Sequence, residues 1–195
     1  MPADTTVQPG TGALAPLAPR LRDDEALVRA LGEPSARLAI PEVARPISIA
    51  ALAHLSDRSP LVVACPTGSM AGQLADDLQA FLGADAVALF PAWETLPFER
   101  VSPNVETMGQ RLRLLWRLRD PERRPRVVVA GVRALLQRLG PGAAVIDPIV
   151  VRQGSIVDPD DLAAQLVRFG YRREELVEHR GEFARRGAIV DVFPS

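Results

Sequence analysis

The sequence predicts an α/β fold built on a parallel sheet, followed by the start of a smaller α+β domain. Short apolar runs at residues 61–65, 86–90 and 126–130 alternate with stretches of helical period. That alternation implies right-handed crossovers between parallel strands. The pattern changes near Asp147-Pro148, after which extended runs surround one helical segment. A third observation bears on what the first part can do. The 195-residue chain has no lysine, so all 23 of its basic residues are arginine. Phosphate-loop NTPases need a lysine that reaches the β- and γ-phosphates. The wide planar fork of arginine does not replace that compact point donor. The first part therefore has the shape of an ATP-driven motor domain without its chemistry. A GC-rich coding sequence would also explain arginine usage in general.

The elements follow in order. Residues 1–19 are rich in Pro, Gly, Thr and Ala and read as a disordered lead. Residues 23–31 form a short helix ending at Gly32, residues 37–40 a short apolar run, and residues 47–55 a helix. Residues 61–65 are wholly apolar, the type of strand buried on both faces of a parallel sheet. Residues 69–82 make a helix closed by Gly83, and residues 86–90 the next strand. Three prolines with Trp93 and Phe98 make residues 91–103 an ordered loop. Residues 105–119 are a helix with Met108, Leu112, Leu115 and Trp116 inward and its arginines outward. A strand at 126–130 and a helix at 132–139, stopped by Gly140-Pro141, complete the first part. Beyond it, residues 149–152 are extended, and Asp158 caps a helix with Pro159 in its first turn. Leu162, Leu166 and Phe169 face inward there. Extended runs at 176–179 and 188–193 surround a turn at Arg180-Gly181-Glu182. The chain stops just after an apolar strand, which would leave a raw sheet edge, so a piece of something longer is expected.

Composition narrows the chemistry. With 47% apolar and 24% charged residues and a net charge of −1, the chain is globular, and overall neutrality argues against wholesale coating of nucleic acid. The single Cys65 excludes an internal disulfide and makes a cysteine-based metal site untenable. No run of 18 apolar residues exists for a membrane span, and residues 1–10 do not form a secretion signal. A cytoplasmic protein without membrane partners is expected. With His54 and His179 as its two histidines, the chain presents no triad and no metal set. No catalytic residue is assigned.

Two positions suit a phosphate loop. Pro41-Glu42-Val43-Ala44-Arg45 lacks both glycine and lysine. Pro66-Thr67-Gly68-Ser69 opens like a helicase loop, but Met70-Ala71 follows in place of Gly-Lys. It reads equally as a helix N-terminus capped by Thr67 or Ser69. From Arg111 to Arg138, nine arginines face Asp120 and Glu122 alone. They either track a phosphate backbone or form a solvated helix face. Arg172, Arg173, Arg180, Arg185 and Arg186 flank Tyr171 and Phe183 on an expected hairpin. Arginine with aromatics is the composition of protein–protein hot spots, although an exposed turn would show the same residues.

Residues Leu89-Phe90-Pro91-Ala92-Trp93-Glu94-Thr95-Leu96-Pro97-Phe98-Glu99 resemble the Trp-Glu-Thr-Leu-Pro segment of bacterial transcription-repair coupling factors. Ser102-Pro103, Val132-Arg133-Ala134-Leu135-Leu136-Gln137-Arg138 and Gly170-Tyr171 continue the likeness. So do Glu178-His179-Arg180-Gly181-Glu182-Phe183-Ala184-Arg185-Arg186-Gly187 and Asp191-Val192-Phe193-Pro194. The resemblance implies that residues 20–148 are a degenerate helicase-like, P-loop-type domain similar to that of the excision-repair subunit UvrB. Such a domain has no working ATP site. Pro41, Glu42, Val43, Ala44 and Arg45 then stand at a vestigial phosphate loop, which demotes Thr67-Gly68-Ser69. Residues 149–195 would begin the domain that binds UvrA. By position Arg173 and Arg186 match the UvrB arginines at that interface, with Arg180, Phe183 and Arg185 beside them. Ala184 stands where UvrB has an arginine, and Arg185 is the substitute.

Whole family members are ATP-dependent DNA translocases that displace stalled RNA polymerase. ATP, Mg, DNA and polymerase therefore belong to their remaining length, and this chain is expected to hold no cofactor. The resulting expectation is a UvrA-recruiting binding module without enzymatic activity of its own. The competing readings are a catalytic DNA-dependent ATPase and a non-specific DNA-binding piece.

Overall fold

A computed structural model describes residues 12–95, 104–140, 142 and 146–195. Several expectations fall outside them: a disordered lead at residues 1–11, the second half of the 91–103 loop with its Leu96-Pro97-Phe98-Glu99 motif and Ser102-Pro103, and Pro141 as a helix stop. The chain divides into two compact units, Met1–Ala92 with Arg117–Arg138, and Trp93–Trp116 with Leu139–Ser195.

In the first unit, helices α1 (Glu25–Gly32) and α2 (Arg45–Leu55) precede strand β1 (Leu61–Cys65), helix α3 (Gly68–Leu82) and strand β2 (Val87–Phe90). Helix α4 (Val105–Arg119) ends in this unit and leads to strand β3 (Val127–Gly131) and the short helix α5 (Val132–Leu136). The strands form a parallel sheet in the order β1-β3-β2, with Leu61 and Val87 both level with Val127. Side chains alternate between the faces of each strand. One face carries Cys65, Val87, Val127 and Val129 onto Ala71, Ala75 and Leu78 of α3, with Ala50 and Ala53 of α2 behind. Small alanines at these positions let helix and sheet backbones approach closely.

The strand order corrects one expectation. β3, at the centre, is buried along its whole length, whereas β1 lies at the edge with Val62 61% exposed. An apolar run thus marked an edge strand open on one face. Residues 12–19, expected to be part of the disordered lead, make turns. Leu14 N–H donates to Ala80 O at 2.7 Å, and Ala18 is buried. α5 stops at Leu136, because Gln137 is already extended.

In the second unit, Asp158 caps helix α6 (Pro159–Arg168) by accepting from Asp160 N–H at 2.7 Å and from Asp161 N–H at 3.4 Å. Strands β4 (Arg172–Arg173), β5 (Glu182–Arg186) and β6 (Ile189–Phe193) make a second sheet, β4-β5-β6. β4 is parallel to β5, and β6 is antiparallel to it. The hairpin turn lies at Gly187-Ala188, not at Arg180-Gly181-Glu182. Gly187, at φ +62, occupies the first central position, as a two-residue type II′ connection requires. Residues 149–152 and 176–179, expected to be extended runs, form no strand. Leu166 faces inward, but Phe169 is exposed.

The part of α4 in this unit departs from its expected orientation at Arg111, while Arg113 is exposed as expected. Its buried positions are Thr107, Arg111 and Leu114, while Met108, Leu112, Leu115 and Trp116 are half-buried. Arg111 is 1% exposed, and its guanidinium carbon stands 4.6 Å from the centroid of the Trp93 ring. Helical spacing puts Thr107 and Arg111 on one face. The Trp93-Glu94 pair grips that face: Trp93 stacks on Arg111, and the Glu94 carboxylate accepts the Thr107 hydroxyl.

Candidate partner-binding surface

The second sheet sorts the arginines by strand parity. In-register neighbours share a face. Arg172 lies level with Glu182, so Arg172, Glu182, Ala184, Arg186 and Asp191 share one face; Arg173, Phe183 and Arg185 share the other. Arg173 and Arg186, the two best positional matches, therefore stand on opposite faces.

Arg186 sits at the end of β5 beside the turn, with its side chain 64% exposed and Nη2 at 2.5 Å from Asp191 Oδ2. Arg173 is exposed on the edge strand. Arg180 lies just before β5. Its guanidinium carbon is 5.4 Å from the centroid of the Phe193 ring, and Nη1 donates to Pro194 O at 3.3 Å. These three side chains are exposed.

The other two expected contacts are not. Phe183 is fully buried. Its ring belongs to the core, and no partner reaches it in this fold. Arg185 forks onto the Asp160 carboxylate in the first turn of α6, with Nη2 at 3.1 Å from Oδ2. That bidentate pair ties the hairpin to the helix.

In the sequence Glu182 reads as a turn residue, not as a site residue. Its side chain is nearly buried, and each oxygen is engaged. Oε2 accepts from the backbone N–H of Glu178 at 3.1 Å and of His179 at 2.8 Å. Oε1 accepts from Arg172 Nη2 at 3.3 Å and lies 3.5 Å from His179 Nδ1. The two backbone donors, with His179 and Arg172 beside them, hold this carboxyl below its ordinary pKa against the opposing effect of burial. Three donors converging on a carboxylate in the middle of a sheet are invisible to periodicity. The Arg-Gly-Glu-Phe run was the available signal.

The phosphate-loop candidates lie in the first unit. Glu42–Ala44 is a single 3-10 turn leading into α2. Ala44 N–H donates to Pro41 O and Arg45 N–H to Glu42 O, so these amides are used inside the turn. Arg45 pairs with Glu42 at 3.7 Å, and Val43 projects into solvent. Glu42 and Arg45 border a shallow cleft of about 320 Å³ with Ile49, Cys65 and Met70. Burial raises the pKa of the Cys65 thiol, and the charge of Arg45 lowers it less. Thr67 caps α3, its hydroxyl accepting from Met70 N–H at 3.2 Å.

Of the nine arginines from Arg111 to Arg138, six (Arg113, Arg119, Arg123, Arg126, Arg133 and Arg138) are exposed, as a solvated face requires, while several are committed to contacts within the fold. Arg111 is buried. Arg117 donates to Asp85 O and Arg123 O, Arg124 to Leu118 O, and Arg126 to Ala53 O at 2.5 Å. These guanidiniums satisfy loop and helix-end carbonyls. Among the described residues no group of three or more His, Cys, Asp or Glu side chains is placed to hold a metal ion, and no helix is long and apolar enough to cross a membrane.

Residues 149–195 match the UvrB interaction domain. The transcription-repair-coupling factor of Mycobacterium bovis is 43% identical over 171 residues, covering 85% of this chain and 14% of that protein. That of Escherichia coli is 32% identical over 146 residues, covering 73% of this chain and 12% of that protein. The UvrABC system protein B of Vibrio vulnificus is 26% identical over 147 residues, 70% of this chain and 22% of that protein. The mixed α/β chain, with its UvrB interaction domain, therefore belongs to the transcription-repair-coupling factors, of whose length it spans about one seventh.

Proposed function

We propose that this chain is the UvrA-recruiting module of a transcription-repair coupling factor, acting in the cytoplasm in transcription-coupled nucleotide excision repair. The observation that carries the reading is the UvrB interaction domain at residues 149–195, whose hairpin offers an exposed arginine, Arg186, at its tip. Arg186 is the principal contact, with Arg180 on the approach to β5. Arg173 serves at the edge strand if the partner wraps that edge. Arg185 and Phe183 act indirectly, through helix docking and core packing.

Residues 20–148 are the degenerate helicase-like domain, of P-loop type in ancestry, and residues 149–195 the interaction domain. Two features support loss of the ATP site: the chain has no lysine, and the amides of Ala44 and Arg45 are used within their own turn. ATP with Mg, DNA translocation and displacement of RNA polymerase are functions of the rest of the whole protein.

The test is the affinity of the 195-residue chain for purified UvrA, beside Arg186→Glu. Losing a central arginine contact costs about 2 kcal/mol, roughly a thirtyfold rise in Kd. An unchanged Kd in a folded Arg186→Glu chain removes the assignment. ATP turnover by the chain would revive the catalytic reading.

A further inference from the structure

Arg172, Arg180 and Arg186 come from three different stretches, and something must set their spacing. Arg186 is held by Asp191, a diagonal neighbour on the adjacent strand β6. Arg172 stands on β4, on the other side of β5 from β6, and Arg180 lies in the loop that enters β5. The link between these last two is Glu182. One of its oxygens takes Arg172, and the other takes the backbone of Glu178 and His179, two and one residues before Arg180. The far end of the same loop is fastened by Gly181 N–H donating to Phe193 O at 2.8 Å.

A carboxylate 6% exposed is costly to place in a sheet. Burial of an uncharged residue would serve core packing better. What the carboxylate adds is a fixed relation among parts that share few apolar contacts: Arg172, Arg173, Glu174 and Glu178 are all exposed.

We propose that Glu182 is a positioning residue of the partner surface, clamping the 178–180 loop and Arg172 to β5 so that Arg172, Arg180 and Arg186 meet an acidic partner surface as one preformed pattern. This rests on the UvrA reading above and deepens it. Arg172, absent from the positional match to UvrB, becomes part of the recognition set. A preformed pattern matters because ordering rotamer-rich side chains on binding subtracts directly from affinity.

The experiment compares the 195-residue chain with Glu182→Gln, Arg172→Ala and the double variant, using two readouts. The first is amide hydrogen exchange at Glu178 and His179; the second is affinity for UvrA. Glu182→Gln preserves shape and removes the charge, and Arg172→Ala changes an exposed side chain that the core does not need.

The expected result is local exchange at Glu178 and His179 faster by about tenfold in Glu182→Gln, with protection in α3 unchanged. UvrA affinity falls by about tenfold in the same variant. The double variant is less than additive, because both changes break one unit. Unchanged exchange at the two amides, or unchanged affinity despite faster exchange, overturns the role of Glu182 and leaves the UvrA reading standing. Strict additivity of the two changes overturns the clamp as well. Failure of the unaltered chain to bind UvrA overturns the partner reading, and the exchange data then identify Glu182 as a loop clamp with no recognition role.

Discussion

Phe183→Ala removes the ring at the centre of the second sheet. The side chain is fully buried, and β5 is the central strand, flanked by β4 and β6. Truncating such a ring loses its transfer free energy and leaves a cavity, at a cost of about 3–5 kcal/mol. A unit of roughly eighty residues has a total stability on the order of 4–12 kcal/mol. The substitution therefore removes about a quarter or more of what holds this unit. Both tryptophans, Trp93 and Trp116, belong to the second unit, so their emission reports its unfolding and not that of the first. With a urea slope of about 1.5 kcal/mol/M, the midpoint of the tryptophan transition should fall by about 2–3 M. Phe183→Leu keeps much of the volume and should cost roughly half as much. The Leu variant, once folded, should bind UvrA as the unaltered chain does. A midpoint shift under about 0.5 M for Phe183→Ala would refute the packing argument. Weakened binding by Phe183→Leu at unchanged stability would show that the ring is a partner contact after all.

Gly181→Ala should also destabilise the second unit. The residue sits at φ +79, and an added Cβ would lie 2.7 Å from Val105 Cγ1, so strain and clash together should cost about 2 kcal/mol in the same tryptophan transition. Asp158→Ala removes the cap of α6 and should cost about 1 kcal/mol in that transition; a change within error would mean the cap is replaced by water. Acid should weaken this unit through Glu182. Its folded pKa lies below the ordinary 4.5, so its stabilisation is present above pH 4.5 and is lost as pH falls through the folded value. Stability of Glu182→Gln measured from pH 6 downward should fall less steeply than that of the unaltered chain, and parallel slopes would assign the acid limb to other carboxyls.

The sequence by itself determined the alternation of elements. β1 was read to the residue, as was α4, and α3 was read to within one residue of its start. Each follows from local causes: a wholly apolar run, a cap such as Thr67 or Asp158, a closing glycine. The family likeness was equally legible, because Trp93-Glu94 and the Arg-Gly-Glu-Phe run are local words. What the sequence did not determine was position across the chain. Apolarity marked β1 as a strand but not as an edge, since edge or centre depends on the crossover that places β3 between β1 and β2. The arginines of α4 were read as outward by their charge, yet Arg111 is buried under Trp93, eighteen positions away in the chain. Charge predicts exposure only where no aromatic face and no carbonyl acceptors are brought up to replace water. Similarly, Phe183 and Arg186 looked like one cluster in the sequence. Strand parity puts Phe183 and Arg186 on opposite faces, and Arg186 is exposed because it ends β5 beside the turn, since Glu182 and Ala184 on its own face are buried.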